Sequence, residues 1–218
     1  MKTCILVSIK TNNKRLPGKT FKMLGGKPLY SYLFRMLKEQ SKAEVYIDSS
    51  DEEVLKISNE WGFKTIKRPE EYNSDSTSGD ELLGRVVDMV DFEVIGALYI
   101  TSPFISKETI ERAINEIENN ESIDSLLGVV PRYNRFWYNN KPVNHNINHL
   151  IRTQDLTPVY EEADFYFVRK SSFKRYGKRV CGNIKTQEVN VVEATDIDTA
   201  EDFVYAESLL NGGFVKDN

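Results

Sequence analysis

Cysteine and histidine are both scarce in this chain. Of 218 residues, two are cysteine, Cys4 and Cys181, and two are histidine, His145 and His149. Two cysteines make neither a disulfide framework nor, by themselves, a zinc site. Two histidines leave little room for a histidine-centred mechanism. Long hydrophobic runs are missing as well. Val94–Ile100 is among the longest and is far too short to span a bilayer. Met1–Ile9 carries an apolar run without a cleavage-site pattern, so it reads as a first strand and not a signal peptide. A cytoplasmic protein with no membrane partner is the expectation. There is no internal repeat and no low-complexity linker. The apolar content of 40% excludes a disordered tail protein, and the length fits one large domain with an appended arm.

The charge total is −4, from 29 Lys+Arg against 33 Asp+Glu. It is unevenly spread. Residues 1–42 hold ten cations and one acid, Glu39, a balance of +9, which leaves −13 for the rest. Nucleic-acid binders usually show a basic total, or a basic domain with interleaved aromatics. Here the excess gathers around one loop. No nucleic-acid partner is expected; the pattern points to a small polyanion.

Strand and helix signals alternate along the chain. Cys4–Ile9 reads as a buried strand, followed by a polar loop over Lys10–Lys27. Pro28 reads as a first helical position, with a helix over Leu29–Lys38. Val45–Ile47 is a strand. Ser50-Asp51-Glu52-Glu53 has the capping-box form and predicts a helix to about Trp61. Phe63–Lys67 is a strand, Arg68–Thr77 a loop and Ser78–Asp91 a helix. Val94–Ile100 is the strongest strand and is placed centrally. Ser106 predicts a helix cap, with the helix reaching about Asn119, and Ser125–Val130 is a strand. Residues 131–160, rich in aromatics, Asn and Arg, have no period and read as an arm or insertion. Asp164–Val168 and Glu188–Val192 read as strands, and a last helix runs from about Thr199 to Leu210. The alternation implies an α/β fold of three α/β/α layers on a mostly parallel sheet, one domain over residues 1–218. Ligands of such sheets bind at the carboxyl ends of the strands. The loops at Lys10–Lys27, Ser49–Asp51, Arg68–Thr77 and Thr101–Lys107 should therefore carry the site.

The first of these loops is the most informative. Lys10, Lys14, Arg15 and Lys19 fall within ten residues, with Pro17 stiffening the turn and Gly18 free to take unusual backbone angles. Such a loop can wrap a triphosphate with backbone N–H groups and ammonium charges. Gly18-Lys19-Thr20 looks like the end of a P-loop, but the required first glycine is Asn13, and the next helix starts near Pro28.

The full pattern resembles another family. Lys10, Lys14, Pro17 and Lys19, completed by Gly26-Lys27-Pro28-Leu29, are similar to the A-R-x-x-S-K-G-x-P-x-K-N…G-x-P-L of acylneuraminate cytidylyltransferases. Arg15-Leu16-Pro17-Gly18-Lys19 is nearer to a sister branch in spore-coat polysaccharide synthesis. Ser49-Ser50-Asp51-Glu52-Glu53 resembles S-T-D-D-E, and Arg68-Pro69-Glu70 resembles R-P-x-E. Ser74-Asp75-Ser76-Thr77-Ser78 resembles S-D-T-A-S, and Thr101-Ser102-Pro103 matches T-S-P. Gln154-Asp155-Leu156 with Pro158-Val159-Tyr160-Glu161 resembles Q-D-L-P-P-V-Y-E. Asp196-Ile197-Asp198-Thr199 matches D-I-D-T. Each is weak alone; their order is specific.

The resemblance implies a Rossmann-like nucleotidyltransferase sheet and CTP as substrate. The reaction joins an acidic sugar, such as a sialic or another nonulosonic acid, to the α-phosphate with release of pyrophosphate. Lys10, Lys14 and Lys19 would neutralise phosphates and, with Asp198, carry the catalysis. Ile9, Asn12, Arg15, Arg68, Asp75, Ser78 and Ser102 join those lysines as expected nucleotide contacts. Asp196 and Asp198, two residues apart, can both face a hard cation, Mg²⁺ or Mn²⁺. Asp198-x-x-Glu201 also has the form of a capping box for the last helix. Tyr99, Gln154, Tyr160, Ala163 and Phe165 are the expected acceptor contacts.

Departures from the family pattern gather on the acceptor side. Tyr99 stands where the family has Gln, Ile105 where it has Arg, and Ala163-Asp164 where it has N-G. Lys10 stands for Arg and loses its bidentate fork. An acceptor other than an ordinary sialic acid, down to a smaller anionic one, fits these changes; so would a catalytically decayed nucleotide-binding homologue. The arm is expected to form a homodimer, with Arg132, Arg135 and Arg152 beside Phe136-Trp137-Tyr138.

Overall fold

A computed structural model describes residues 2–215. Met1 and residues 216–218, the outer ends of the 1–218 span, lie outside the described residues. The first strand, β1 (Thr3–Ser8), is buried on both faces: Ile5 and Val7 join one core cluster, Cys4 and Leu6 another. Burial on both sides is why its apolar run is unbroken. A basic loop follows, containing a 3-10 turn at Lys19–Phe21. Then come a two-strand ribbon of β2 (Met23–Leu24) and β3 (Lys27–Pro28), α1 (Leu29–Glu39), β4 (Glu44–Ser49), α2 (Glu52–Glu60) and β5 (Lys64–Lys67). After a 3-10 turn at Glu70–Asn73 the chain forms α3 (Gly79–Val86), β6 (Val94–Leu98), α4 (Lys107–Asn119) and β7 (Ser125–Arg132). The arm holds the small pair β8 (Trp137–Tyr138) and β9 (Lys141–Pro142), and a 3-10 turn at Thr153–Asp155. The chain returns as β10 (Val159–Arg169), α5 (Lys170–Tyr176), β11 (Ile184–Glu188) and α6 (Ala200–Asn211).

Seven strands make the main sheet, in the order β11-β7-β10-β6-β1-β4-β5. All neighbours are parallel except β10, which runs antiparallel to both β6 and β7. β6 stands fourth of seven and is buried throughout, as its apolar run predicts. α1, α2 and α4 pack on one face of the sheet, and α3 and α5 on the other. This is the expected three-layer α/β/α arrangement. α6 lies apart, closing a third cluster in which Phe203 and Leu209 meet Leu16, Leu24 and Ile197 beneath the basic loop.

Several boundaries differ from the sequence reading, each for a local reason. Pro28 is the last residue of β3 and the cap of α1, not its first helical residue. α2 is capped by Asp51, whose carboxylate accepts from the N–H groups of Glu53 and Val54; Ser50 makes no capping box. α3 ends at Val86 because the chain turns to bury Val90 and Phe92 before β6. The late strand is Ile184–Glu188, an edge strand with little apolar content. Residues Glu188–Val192 instead lead into a turn in which Asn190 accepts from Val192 and Glu193. The cap of α6 is Thr199, paired reciprocally with Asp202, so Asp198 is not occupied as a helix cap.

Phe165 packs against Gly128 across the β10–β7 pair, where a Cβ would overlap the ring. Gly128→Ala is expected to cost about 1–3 kcal/mol through overpacking, or roughly 2–12 °C in thermal midpoint. An unchanged midpoint by calorimetry would contradict this packing.

Candidate active site

One cleft of about 690 Å³ opens at the carboxyl ends of β1, β5 and β6. Its size lies within the roughly 300–1,000 Å³ common for small-molecule sites. The basic loop forms one wall. Gly18, at φ +71°, starts the 3-10 turn in a left-handed conformation that glycine adopts without strain. That turn buries Lys19. Its Nζ donates to the Ile197 carbonyl at 3.0 Å and to Asp198 Oδ1 at 2.9 Å. Arg15 reaches the other oxygen of Asp198 at 2.6 Å. Lys10 and Lys14 both hold Asp75, at 2.5 and 2.6 Å. Hydrogen bonds from these two lysines bring the Asp75 carboxyl down to about 2. The four cations thus sit as two pairs, each on one carboxylate. The loop is braced by Thr11, which donates to Asp51, and by Asn13, which donates to the Lys10 carbonyl.

The floor is built on a buried acid that sequence reading missed. Asp48, at the end of β4, has no exposure. Arg68 donates to its carboxylate from Nε at 2.8 Å and to its carbonyl from Nη2 at 2.8 Å, and Arg85 of α3 bonds its other oxygen. Arg68 lines the cleft as expected, but its charge is spent on Asp48. The only sequence signal for Asp48 was an acid directly after the apolar run Val45–Ile47.

Asp196 and Asp198 enter from the loop before α6. Between them, buried Ile197 donates its N–H to the Thr101 carbonyl at 2.9 Å and ties that loop to the end of β6. Burial, and then the nearby charge of Asp164, push the Asp196 carboxyl up to about 7. Burial also raises Asp164, against a hydrogen bond from Tyr166 that favours its charged form. A divalent cation fits the Asp196–Asp198 pair on two counts. Carboxylate oxygens are hard donors, and Asp196 Oδ1 is buried without a hydrogen-bond partner. Among the described residues, no group of three or more His, Cys, Asp or Glu is gathered as a metal cage.

The other expected residues divide sharply. Asn12, Tyr99 and Asp75 line the cleft. Ile9 does not: it is a core residue whose N–H donates to Asp48. Ser78 faces Glu81 as the cap of α3, and Ser102 is buried, with its N–H on the Tyr99 carbonyl. On the acceptor side, Ala163 and Phe165 point from β10 into the opposite core cluster. Tyr160 is exposed with its hydroxyl on Glu188, and Gln154 is an exposed arm residue. None of these four lines the cleft. The residues found there instead are Asp164 and Arg179, brought in by β10 and by the loop after α5. Asp164 was visible only as a departure from the family pattern. Arg179 sits in a segment with no motif.

The chain is similar to known proteins over nearly its whole length. Residues 4–217 match the family model described as Cytidylyltransferase. The chain is 28% identical over 225 residues to N-acylneuraminate cytidylyltransferase A of Danio rerio, covering 97% of this chain and 52% of that protein. It is 25% identical to the pseudaminic acid cytidylyltransferase of Campylobacter jejuni over 96% of each. It spans about half the length of the Danio rerio relatives it matches. Among solved structures, a CMP:2-keto-3-deoxy-manno-octonic acid synthetase complexed with CTP shares the fold. Its TM-score is 0.74 at 16% identity, over 97% of this chain and 99% of that one.

The raised Asp196 gives a stability prediction. Its carboxyl shifts from an ordinary 3.8 to about 7, so the folded protein holds this proton more tightly than the unfolded chain does. The stability it contributes is present below the ordinary value and is lost as pH rises toward 7. In metal-free protein, Asp196→Asn should flatten the fall in thermal midpoint between pH 5 and pH 8. An identical slope in wild type and variant would refute the assignment.

Proposed function

The chain belongs to the cytidylyltransferase family, and from that premise we propose that it transfers CMP from CTP to an acidic sugar and releases pyrophosphate. The observation that carries this reading is the convergence of two loops. Four cations on the loop after β1 and two carboxylates before α6 meet in one cleft. The printed names of the relatives, acylneuraminate and pseudaminic acid cytidylyltransferases, support an acidic sugar of the nonulosonic class as acceptor. One domain with the 131–160 arm carries the activity.

The chemistry asks for three things: neutralised phosphates, an aligned acceptor hydroxyl and a destination for its proton. Lys10, Lys14 and Arg15 receive the triphosphate, exchanging Asp75 and Asp198 for phosphate oxygens, while buried Lys19 keeps its contact with Asp198 and adds its charge. The acceptor oxygen bonds to the α-phosphorus, the α–β bridging bond breaks, and its electron pair leaves on pyrophosphate. A cation held by Asp196 and Asp198 would supply further neutralisation of the phosphate charge. The acceptor hydroxyl proton goes to a cleft carboxylate. Asp164, whose proton affinity burial has raised and which is not one of the two cation-holding residues, is suited to that.

We place the enzyme in the cytoplasm, where CTP is formed; among the described residues no helix is long and apolar enough to cross a membrane. The arm supports a homodimer. Trp137, Tyr138, Val143, Ile147 and Leu150 are all more than half exposed on it, a density of apolar surface that marks a contact face.

Pyrophosphate release with CTP and Mg²⁺ across a panel of keto-sugar acids tests the reading, with UTP, ATP and GTP as controls. Asp198→Asn should lower turnover by about 10²-fold or more while retaining a cooperative melt. Full activity in that variant would remove Asp198 from the machinery. Release equal with all four nucleotides would overturn the preference for CTP.

A further inference from the structure

One cation of the cleft is held differently from the others. Lys10, Lys14, Arg15, Lys19 and Arg68 each rest on a carboxylate. Arg179, on the loop between α5 and β11, has no carboxylate within ion-pair distance among the described residues. Its Nη1 donates to the neutral hydroxyl of Tyr99 at 2.9 Å. The guanidinium lies over the Tyr166 ring, 4.4 Å from its centroid, and 5.9 Å from that of Tyr99. Its backbone N–H is fixed by Asp80 Oδ1 at 3.0 Å. Gly79, the first residue of α3, leaves it room: a Cβ there would overlap the guanidinium. The side chain is half-buried and oriented by two rings, a phenol and a glycine. The remaining donors of its planar fork have no anionic partner.

Topology gives the position a meaning. The lysines and Arg68 come from loops after β1 and β5. Tyr99 directly follows β6, and Tyr166 and Asp164 belong to β10, on the far side of the strand at which the basic loop begins. Tyr99 is also where the chain departs from the family's Gln. The departure and the unpaired guanidinium are one feature, since the phenol is what aims Arg179.

We propose that Arg179 is the acceptor-specificity residue, its guanidinium taking the carboxylate of the incoming acid, with Tyr99 and Gly79 as its positioning residues. This deepens the reading of the same cleft given above and rests on it. A planar guanidinium matches a carboxylate with two parallel N–H···O bonds, which a lysine does not reproduce. A neutral sugar would leave the half-buried charge with a phenol, two ring faces and the carboxylates of Asp80 and Asp164 beyond ion-pair distance, and no anion on its open fork. Discrimination against such a sugar follows from the unpaired group as much as from the pair formed.

The test varies the acceptor at saturating CTP. The probes are N-acetylneuraminate, pseudaminic acid and 3-deoxy-manno-octulosonate, each as free acid and as methyl ester. Arg179→Ala should raise the KM for the acid about tenfold or more and leave the KM for CTP within about twofold, a split that a general structural defect does not produce. Arg179→Lys should recover part of the loss. Gly79→Ala, which displaces the guanidinium without removing its charge, should raise the acceptor KM with an unchanged melt. The methyl esters should be poor acceptors for wild type and equally poor for Arg179→Ala. Equal loss of CTP and acceptor affinity, or equal effects on acid and ester, overturns the assignment. Thermal shifts of wild type and Arg179→Ala by the same acids, with CTP and Mg²⁺ present, separate this inference from the proposed reaction. An acid that stabilises wild type and not the variant supports Arg179 even without turnover, whereas no difference for any acid overturns it. Absence of pyrophosphate from wild type with every probe counts against the reaction alone.

Discussion

The contact between Lys19 and Asp198 joins two loops 179 residues apart in the sequence. A buried ammonium needs an anion beside it, and among the described residues Lys19 has only the carboxylate of Asp198 and the carbonyl of Ile197 to satisfy it. The same Ile197 donates to Thr101 at the end of β6. One set of contacts therefore locks the basic loop, the central strand and the loop before α6 into a single rigid corner. α6 and the third core cluster pack beneath this corner. The wall that would meet phosphate and the pair that would meet a cation cannot move independently.

A second buried charge organises the floor. Asp48 ties β4 to Arg68 at the end of β5 and to Arg85 of α3. Breaking such a group by removing one partner leaves an uncompensated charge in the interior, which is costly. Arg68 is therefore structural first, and what it offers a ligand is position. Its motif matches the family pattern, yet the motif alone does not reveal where its charge is spent.

The sheet was legible wherever burial was two-sided. β1 and β6 announce themselves because both of their faces are apolar. α4 has its predicted cap at Ser106. β11 was misplaced because an edge strand reading Ile-Lys-Thr-Gln-Glu has no apolar run to show, and α5 escaped notice because its seven residues, with Phe173 the one buried apolar side chain, are too few to show a periodic face. The cap of α6 was assigned one residue early, since Asp198-x-x-Glu201 and Thr199-x-x-Asp202 have the same form; only the hydrogen bonds distinguish them. In the site, the contiguous elements could be read: the basic loop and the Asp196–Asp198 pair. Beside them, Tyr99 was legible from its position before Thr101-Ser102-Pro103, but Asp164 and Arg179, which come from two further segments, were not. The strand periodicity that turns Ala163 and Phe165 inward is what turns Asp164 toward the cleft.

The pairing of the loop's cations with Asp75 and Asp198 also bears on how a ligand arrives. Four positive charges in ten residues would project a steep field into solvent and draw polyanions from a distance. With two carboxylates seated among them, only a surplus of two remains. Capture is then a local exchange of anions at contact, and long-range steering contributes little. The association rate of a polyanion would then depend on ionic strength less steeply than four unpaired cations would make it, and discrimination among anions would rest more on the fit within the cleft after encounter.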